Sequence, residues 1–183
     1  PVQGGEVKRK FDFVGDGEMV ERVNRLDWSA TPAGAIKTWP EGVRSAVSIA
    51  LNSTFQLVVL AGRDLVYVYN DASMSIFGAK HPWALGRPAK EVWDEIWPMI
   101  GPMLHSVFET GHALRYDDML MVLKRHGFDE EAYFTFSYSP IREASGEISG
   151  LFLSVLETSE RVINERRMRM LTELAARVAA ERG

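Results

Sequence analysis

The chain has no cysteine among its 183 residues. Without thiols it forms no disulfide, carries no thiolate nucleophile and offers no cysteine ligand to zinc. The same absence excludes photoreceptor chemistry that needs a flavin-reactive thiol. The lack of cysteine therefore excludes thiol-dependent mechanisms but does not indicate the cellular compartment of the protein.

Long apolar runs and a strong net charge are also missing. The longest uninterrupted runs, such as Leu57 to Ala61, are far shorter than the roughly 20 residues that cross a bilayer, and the N-terminus shows no signal-peptide pattern. The composition is 46% hydrophobic and 25% charged, and the formal net charge is -4. This balance is typical of a globular protein and favours no polyanionic partner. We therefore expect a cytoplasmic domain that binds neither nucleic acid nor membrane.

Patterns of catalytic residues are absent as well. The GDG at Gly15 to Gly17 is too short for a phosphate-binding loop. Asp117 and Asp118 are adjacent, so in a regular strand their carboxylates point to opposite faces and cannot act as an acid and base pair. The four histidines have no metal-ligand spacing. We expect no enzyme activity and no metal site in this chain, and catalytic domains of a parent protein would lie outside it.

The sequence does contain a regular succession of helix and strand patterns. A helical stripe over residues 17–27 and a capping box of Thr38 and Glu41 predict two N-terminal helices. The runs FQLVVLAG and LVYVYN then predict two antiparallel strands. Asn70 and Asp71 are both suitable N-cap residues for the short helix ASMSIF.

The second half of the chain predicts more helices and then three strands. The segment GRPAKEVWDEIWPMIGPMLHSVFETG indicates two helices, with breaks at Pro98 and at Gly101 and Pro102. ALRYDDMLMVLKRHG, YFTFSYSPI and ISGLFLSVL follow as strands, and the alternation in the second of them predicts one buried face. From Glu157 onward, helix formers without an interior glycine or proline predict one long helix.

The order of these predicted helices and strands, and several short sequence segments, resemble the PAS family over roughly Ser53 to Arg161. YNDA at Tyr69 to Ala72 resembles the end of the second PAS strand, where an asparagine caps the first short helix. YFTFSYSPIREASGEISG resembles the fourth and fifth strands with their turn. ETSER at Glu157 to Arg161 stands where the family usually has D-I-T-E-R. The words WPEGVRSAV, HPWALGRP and EVWDEIW resemble a subgroup found in bacterial sensor histidine kinases, often ahead of a GAF domain.

The resemblance implies an α+β fold with a five-stranded antiparallel PAS sheet. Short helices would be inserted between strands 2 and 3, with N-terminal helices before the sheet and a C-terminal signalling helix after it. The expected segments are a mobile end or tag remnant, a helical extension, the PAS core and a helical linker with a coiled-coil segment, at 1–16, 17–52, 53–157 and 158–183. The implied function is a regulatory sensor and dimerisation module of a multidomain bacterial signalling protein, with a histidine kinase as the expected parent.

The junction between the last strand and the long helix is where we expect the signal relay. A strand that continues into an exposed helix can pass a small shift to the angle or register of that helix. Glu157 would hold the helix start through a hydrogen bond or ion pair, and Ser159 would cap it, with Thr158 between them. The alternative is that these residues only cap a helix.

A homodimer is expected through the N-terminal and C-terminal helices. Leu171, Leu174 and Val178 follow the a, d, a spacing of a coiled coil, although Asn164 and Arg167 occupy the preceding apolar positions. Only a short coiled-coil segment is therefore predicted, and its parallel or antiparallel orientation stays open. The alternatives are that the last helix packs on its own domain and that the first helix covers the outer face of the sheet.

PAS-like domains often hold a small ligand between the sheet and the short helices. The candidate lining residues are the large apolar ones in these segments: Trp93, Trp97, Met103, Phe108, Met119, Met121, Phe134, Phe136 and Tyr138. The alternative is that they form an ordinary core. For haem, the candidate axial ligands are His112 and His105. The sequence requires no cofactor and no residue argues for flavin, so a haem or small-ligand sensor or carrier is the alternative function.

Overall fold

The computed structural model of the protein describes residues 12–181. The strands are β1 (Leu57–Ala61), β2 (Val66–Tyr69), β3 (Leu114–Leu123), β4 (Glu130–Arg142) and β5 (Ile148–Glu157). The α-helices are α1 (Glu18–Arg25), α2 (Glu41–Leu51), α3 (Met74–Phe77), α4 (Ala89–Val92), α5 (Trp97–Thr110) and α6 (Ser159–Glu181). Short 3₁₀ turns occupy Trp28–Ala30, Ile36–Thr38, Asp71–Ser73 and Gly78–Lys80. The predicted α+β fold, with helices inserted between the second and third strands, is confirmed.

The five strands form one antiparallel sheet in the order β2-β1-β5-β4-β3. The last strand, β5, therefore lies at the centre of the sheet, between β1 and β4. It is paired on both sides and leads directly into α6. A displacement of β5 would therefore involve the central strand and α6 together.

The two faces of the sheet are covered by different helices. Alternation along β5 places Leu151 and Leu153 on the inner face, towards α3 and α5, and Gly150 on the outer face. A Cβ atom on Gly150 would lie 3.3 Å from the Val43 side chain of α2. The glycine thus lets α2 approach the outer face closely, and Val43 and Val47 are fully buried there.

The capping box predicted for α2 is wrong. Pro40 is the N-cap residue, and no side chain caps this helix. Thr38 lies inside the preceding 3₁₀ turn, and its hydroxyl donates to the Ala35 carbonyl at 2.7 Å. The local turn therefore uses the group that the pattern assigned to the helix start.

The helix break predicted at Gly101 and Pro102 is also wrong, because α5 continues through both residues. Pro98 lies in the first turn, where an amide has no helical partner in any case. Gly101 faces the Trp97 ring, where an added Cβ would lie only 2.7 Å from the indole. The pair is therefore part of a packed helix.

α1 packs against the rest of the domain. Its three buried residues, Met19, Val20 and Val23, form the apolar stripe seen in the sequence. Asp71 does not cap the helix beside it; its carboxylate accepts hydrogen bonds from the Glu18 and Met19 amides at 2.9 and 2.7 Å and so caps α1. Asn70 is the N-cap residue of the following 3₁₀ turn and accepts from the Ser73 amide.

Part of the predicted N-terminal end, residues 1–11, lies outside the described residues. In the remainder of that end, Phe13 is buried with its ring 6.2 Å from that of Trp39. Asn24 of α1 fixes this position by bonding the Phe13 amide and carbonyl. The extension is thus connected to the core by its own side chains.

α6 is one helix of 23 residues with no buried residue. Its first turns contact β4, and every residue from Asn164 to Glu181 is exposed. Of the helices in residues 12–181, none is both long and apolar enough to span a bilayer.

Candidate functional site at the strand-to-helix junction

A single residue, Thr158, separates β5 from α6. Its amide donates to the Tyr133 carbonyl at 2.7 Å, and the Tyr133 amide donates to the Ser159 hydroxyl at 2.9 Å. The Thr158 carbonyl accepts from the Val162 amide and so begins the helical ladder. The start of α6 is therefore bound to β4 through both the carbonyl and the amide of Tyr133.

Arg125, in the turn between β3 and β4, joins this junction to the rest of the sheet. Its guanidinium donates to Glu157 at 2.7 Å from both Nη1 and Nη2. It also donates to Glu130, from Nε at 2.9 Å and from Nη2 at 2.8 Å. The side chain of Arg125 is only 5% exposed, whereas the two carboxylates are about one quarter exposed. Paired, planar contacts of this kind are the strongest ion pairs in proteins.

Two further groups complete the arrangement. The Ser159 hydroxyl donates to Glu157 Oε1 at 3.0 Å, and Arg125 Nη1 contacts the Ser75 carbonyl of α3 at 3.3 Å. We call Arg125, Glu130, Glu157 and Ser159 the junction latch. The latch connects the end of β5, the start of α6, the β3–β4 turn and α3.

The charges of the latch support each other unequally. The hydrogen bonds that Arg125 donates to Glu130 and then to Glu157 raise the pKa of Arg125, while burial partly opposes them. The hydrogen bond from Arg125 holds the pKa of Glu130 below its usual value. Two carboxylates share one guanidinium, so losing the arginine leaves both without a countercharge.

A second ion pair fastens α6 on the outer side of the sheet. Arg161 of α6 donates to the carboxylate of Asp118, which lies in the irregular part of β3 between Tyr116 and Met119. Asp118 has a left-handed backbone with φ of 51°, and its amide donates to the Thr135 hydroxyl at 3.1 Å. The regular alternation assumed for this strand from the sequence is therefore broken at Asp118.

Thr158 and Asp118 are neighbours at this point. Arg161 lowers the pKa of Asp118, and Thr158 contributes to the lowering. The Thr158 hydroxyl is nevertheless buried without a hydrogen bond of standard geometry to any described residue. Thr158 thus lies between the Arg125–Glu157 ion pair and the Arg161–Asp118 ion pair, at the start of α6.

An internal cavity of about 60 Å³ lies between the inner face of the sheet and the helices. Of the residues predicted to line such a space, four do so: Met121, Phe134, Phe136 and Tyr138. Trp93 is buried beside Lys80, whose ammonium lies 4.2 Å from the indole centroid. The others are half-buried on the surface of the core: Trp97, Met103, Phe108 and Met119.

Neither candidate haem ligand lines the cavity. His112 is exposed after the left-handed C-cap Gly111, and its amide bonds the Thr110 hydroxyl. His105 is exposed on α5 and meets the Trp97 ring edge-on, with 5.7 Å between ring centroids. Among residues 12–181 there is no cluster of side chains that would hold a metal ion.

The cavity and the junction latch share the same structural elements. Val155 lines the cavity two residues before Glu157, and Leu123 lines it two residues before Arg125. Ile76, also in the lining, follows Ser75, whose carbonyl contacts Arg125. A rearrangement of the cavity walls would therefore reach the latch through two strand ends and one helix.

Sequence reasoning proposed Glu157, Thr158 and Ser159 for this junction but missed Arg125 and Glu130. The capping hydroxyl expected of Ser159 is not observed, because it accepts from the Tyr133 amide of β4 and donates to Glu157. The run KRHG before the fourth strand has the composition of a solvated turn. Because its partner Glu157 is 32 residues away, no local spacing marks Arg125 as buried. The segment Glu157 to Arg161, which resembles the D-I-T-E-R motif, could have prompted a search for a buried cation that pairs with Glu157. The motif does not indicate which of the 21 lysines and arginines supplies that cation.

Comparison with known proteins locates the fold in the same part of the chain. A family model described as PAS fold matches residues 51–163. No curated protein matches. Among solved structures, an RNA-binding Light-Oxygen-Voltage receptor is 20% identical with a TM-score of 0.52; the match covers 78% of this chain and 40% of that one.

Two further structures have lower identity. The phage VqmA–DPO complex is 15% identical with a TM-score of 0.50, covering 72% of this chain and 59% of that one. A PAS domain from Colwellia psychrerythraea is 13% identical with a TM-score of 0.49, covering 64% and 97%. This chain thus spans less than two thirds of the receptor and of VqmA, and the likeness concerns the fold alone.

Proposed function

This chain belongs to the PAS family, and from that premise we propose that it is the regulatory sensor module of a multidomain bacterial signalling protein. The observation that carries the proposal is the pair of hydrogen bonds from the buried Arg125 to Glu157, at the point where the central strand becomes α6. A change in the core would reach the following domain through this point.

The junction latch gives the relay a physical form. With both bonds to Glu157 made, β5 ends at a fixed distance from the β3–β4 turn, and the hydroxyl of Ser159, the first residue of α6, donates to the same carboxylate. A small shift of β5 lengthens both bonds together, because the guanidinium is planar and rigid. Packed elements tend to occupy discrete arrangements, so α6 would change its angle or register in a step.

The parent protein is proposed to be a sensor histidine kinase, with this chain as its sensor and dimerisation module. This parent is supported by three segments that resemble PAS domains of such kinases: WPEGVRSAV, HPWALGRP and EVWDEIW. The exposed apolar residues of α6 support the dimer. Leu171, Leu174 and Val178 are between 40% and 60% exposed, which suits a short parallel coiled coil with a second copy. The apolar stripe of α1 is buried in its own chain, so an N-terminal contribution to the dimer would use another surface of that region.

Hydrogen exchange on α6 tests the relay. In Glu157→Gln the amide loses the charge-assisted bonds to Arg125, and the amides of residues 159–166 should exchange several-fold faster. The rest of the sheet should keep its protection. Unchanged exchange at these amides would remove the latch from the account and leave Ser159 and its neighbours as an ordinary helix start.

A second candidate function is that of a small-ligand or haem sensor or carrier, in which binding of the ligand in the cavity is the main function. Two buried tyrosines in the cavity wall, Tyr67 and Tyr138, favour a small ligand over haem. A haem held there would need an axial ligand other than His105 and His112 in their present positions. An absorption spectrum of the freshly purified protein tests this form, since a Soret band would move the function into the pocket.

A further inference from the structure

The sulfur of this protein is confined to methionine, and two of the methionines differ from the rest. The chain has no cysteine and eight methionines. Met19 and Met121 are buried, and four others are half-buried against the core: Met74, Met99, Met103 and Met119. Met168 and Met170 of α6 are 64% and 53% exposed. These two thioethers are therefore the ones that a solute reaches without any opening of the domain.

Both exposed methionines lie beside the apolar residues Leu171, Leu174 and Val178, which we call the α6 seam. Met168 precedes Leu171 by three residues and Met170 precedes Leu174 by four, and side chains at these spacings are neighbours on a helix surface. With Leu171 at position a of the heptad, Met168 falls at e and Met170 at g, on opposite sides of the seam. Two apolar side chains thus stand where coiled coils often place charges.

The methionines and the seam form one exposed apolar stripe of five residues. Arg166, Arg169 and Glu173 occupy the other faces of the same turns, so the stripe is clearly bounded. An exposed apolar stripe of this kind marks a contact surface, and a second copy of α6 fits it because positions a and d repeat along the helix. Side chains at e and g border that contact, so their sulfur atoms keep access to solutes in the dimer.

We infer that Met168 and Met170 are a site of reversible oxidation by peroxides, and that their oxidation weakens the dimer. The thioether sulfur attacks one oxygen of hydrogen peroxide and the O–O bond breaks. The transferred oxygen gives its proton to the departing hydroxide, so a sulfoxide and water are formed. Sulfur loses two electrons and the peroxide gains them. This inference rests on the proposed dimerisation through α6, because that dimer is the assembly that the sulfoxides disturb.

A sulfoxide at either position opposes the dimer more than it disturbs the single chain. Its oxygen is a hydrogen-bond acceptor that water satisfies on the exposed helix, whereas the edge of a packed seam removes part of that hydration. Each dimer carries four such groups, two from each chain. Within Ser159–Glu181 no residue is buried, so oxidation there leaves the core of the domain packed.

The test compares the oligomeric state of the protein before and after treatment with hydrogen peroxide. Peptide mass mapping should find the first added oxygens on Met168 and Met170. Native mass spectrometry over a concentration series should then show a dimer dissociation constant raised at least about tenfold. Treatment with methionine sulfoxide reductases for both sulfoxide epimers should restore the original dissociation constant.

Two double variants separate α6 from the other methionines. Met168→Leu with Met170→Leu keeps apolar side chains of similar volume and removes the sulfur from α6. Its dimer should form as in the wild type and resist peroxide. Met99→Leu with Met103→Leu is the matched control, since both residues are half-buried on α5. Its dimer should respond to peroxide as the wild-type dimer does.

The inference and the dimer on which it rests fail in different ways. A dissociation constant unchanged after complete oxidation of Met168 and Met170, or an equal rise in the variant without these methionines, would overturn the inference and leave the dimer standing. First oxidation at the half-buried methionines of α5 would also contradict the predicted site. A protein that is monomeric at every concentration before any oxidant is added would contradict the proposed dimer itself, and the inference with it.

Discussion

Arg125 and Glu157 meet through two hydrogen bonds of 2.7 Å although 32 residues separate them in the chain. Glu157 is the last residue of the central strand, and Arg125 lies in the turn between β4 and the edge strand β3. The pair therefore links the centre of the sheet to its edge at the place where α6 begins. Its neighbours Glu130 and Ser159 make this link part of a larger network.

Removing the cation should destabilise the whole domain. In Arg125→Met the carboxylates of Glu130 and Glu157 lose their shared partner, and the free energy of unfolding should fall by about 1–3 kcal/mol, less than for fully buried pairs because both acids are partly hydrated. Urea unfolding measures the change. Arg167→Met, on the exposed part of α6, should stay within about 0.5 kcal/mol of wild type. Equal unfolding curves for the two variants would contradict a structural role for the pair.

The same network predicts how stability depends on pH. Arg125 lowers the pKa of Glu130 from its ordinary value of 4.5, so the native state holds this proton less tightly than the unfolded state. The stabilisation is present above pH 4.5 and is lost as the pH falls through the lower native pKa. Other lowered carboxyls, such as Glu95, share this trend, so the difference between wild type and Arg125→Met is the quantity to follow. That difference should shrink in acid, whereas a constant difference from pH 7 to 3 would argue against the ion pair.

The ion pair of Asp118 with Arg161 should govern the first turns of α6 more than the stability of the domain. Asp118→Asn removes the charge and keeps a residue that tolerates the left-handed backbone. Amides of residues 159–166 should exchange a few-fold faster in this variant. Asp117→Asn is the control, because Asp117 pairs with Arg115 on its own strand. If both variants exchange alike, Asp118 does not position α6.

The dimer prediction is tested on α6 itself. Leu174→Lys places a charge in the centre of the apolar seam and should raise the dimer dissociation constant at least about tenfold. Ala176→Lys adds the same side chain on the far side of the helix and should leave it unchanged. Native mass spectrometry over a concentration series measures both. A protein that is monomeric throughout, or one in which both variants weaken the dimer equally, would contradict the proposed coiled coil.

The fold was predictable because its patterns are local. Alternation in YFTFSYSPI determines which face of β4 is buried, and the absence of breakers after Glu157 determines one helix. The polar ETS segment likewise indicated where the strand ends and the helix begins, because it stands directly between a strand pattern and a run of helix formers. Such features depend on neighbours within one or two turns of chain.

The contacts that connect distant segments were not predictable in this way. Asp71 caps α1, whose first residues lie more than 50 positions earlier. Arg125 is buried where the β3–β4 turn meets the end of β5. α5 continues through Gly101, whose missing side chain leaves room for the Trp97 ring, and through Pro102. Each case depends on tertiary packing that overrides the local preference.

The central claim is that the pair of Arg125 and Glu157 sets the position of α6, and a distance between spin labels tests it most directly. The chain has no cysteine, so Ser137→Cys on β4 and Arg169→Cys on α6 give two unique labels, diluted with unlabelled protein to isolate single chains. Glu157→Gln should shift or broaden the distance distribution, while Glu160→Gln, at the second residue of α6, should reproduce the wild-type distribution. Identical distributions in all three proteins would contradict the claim.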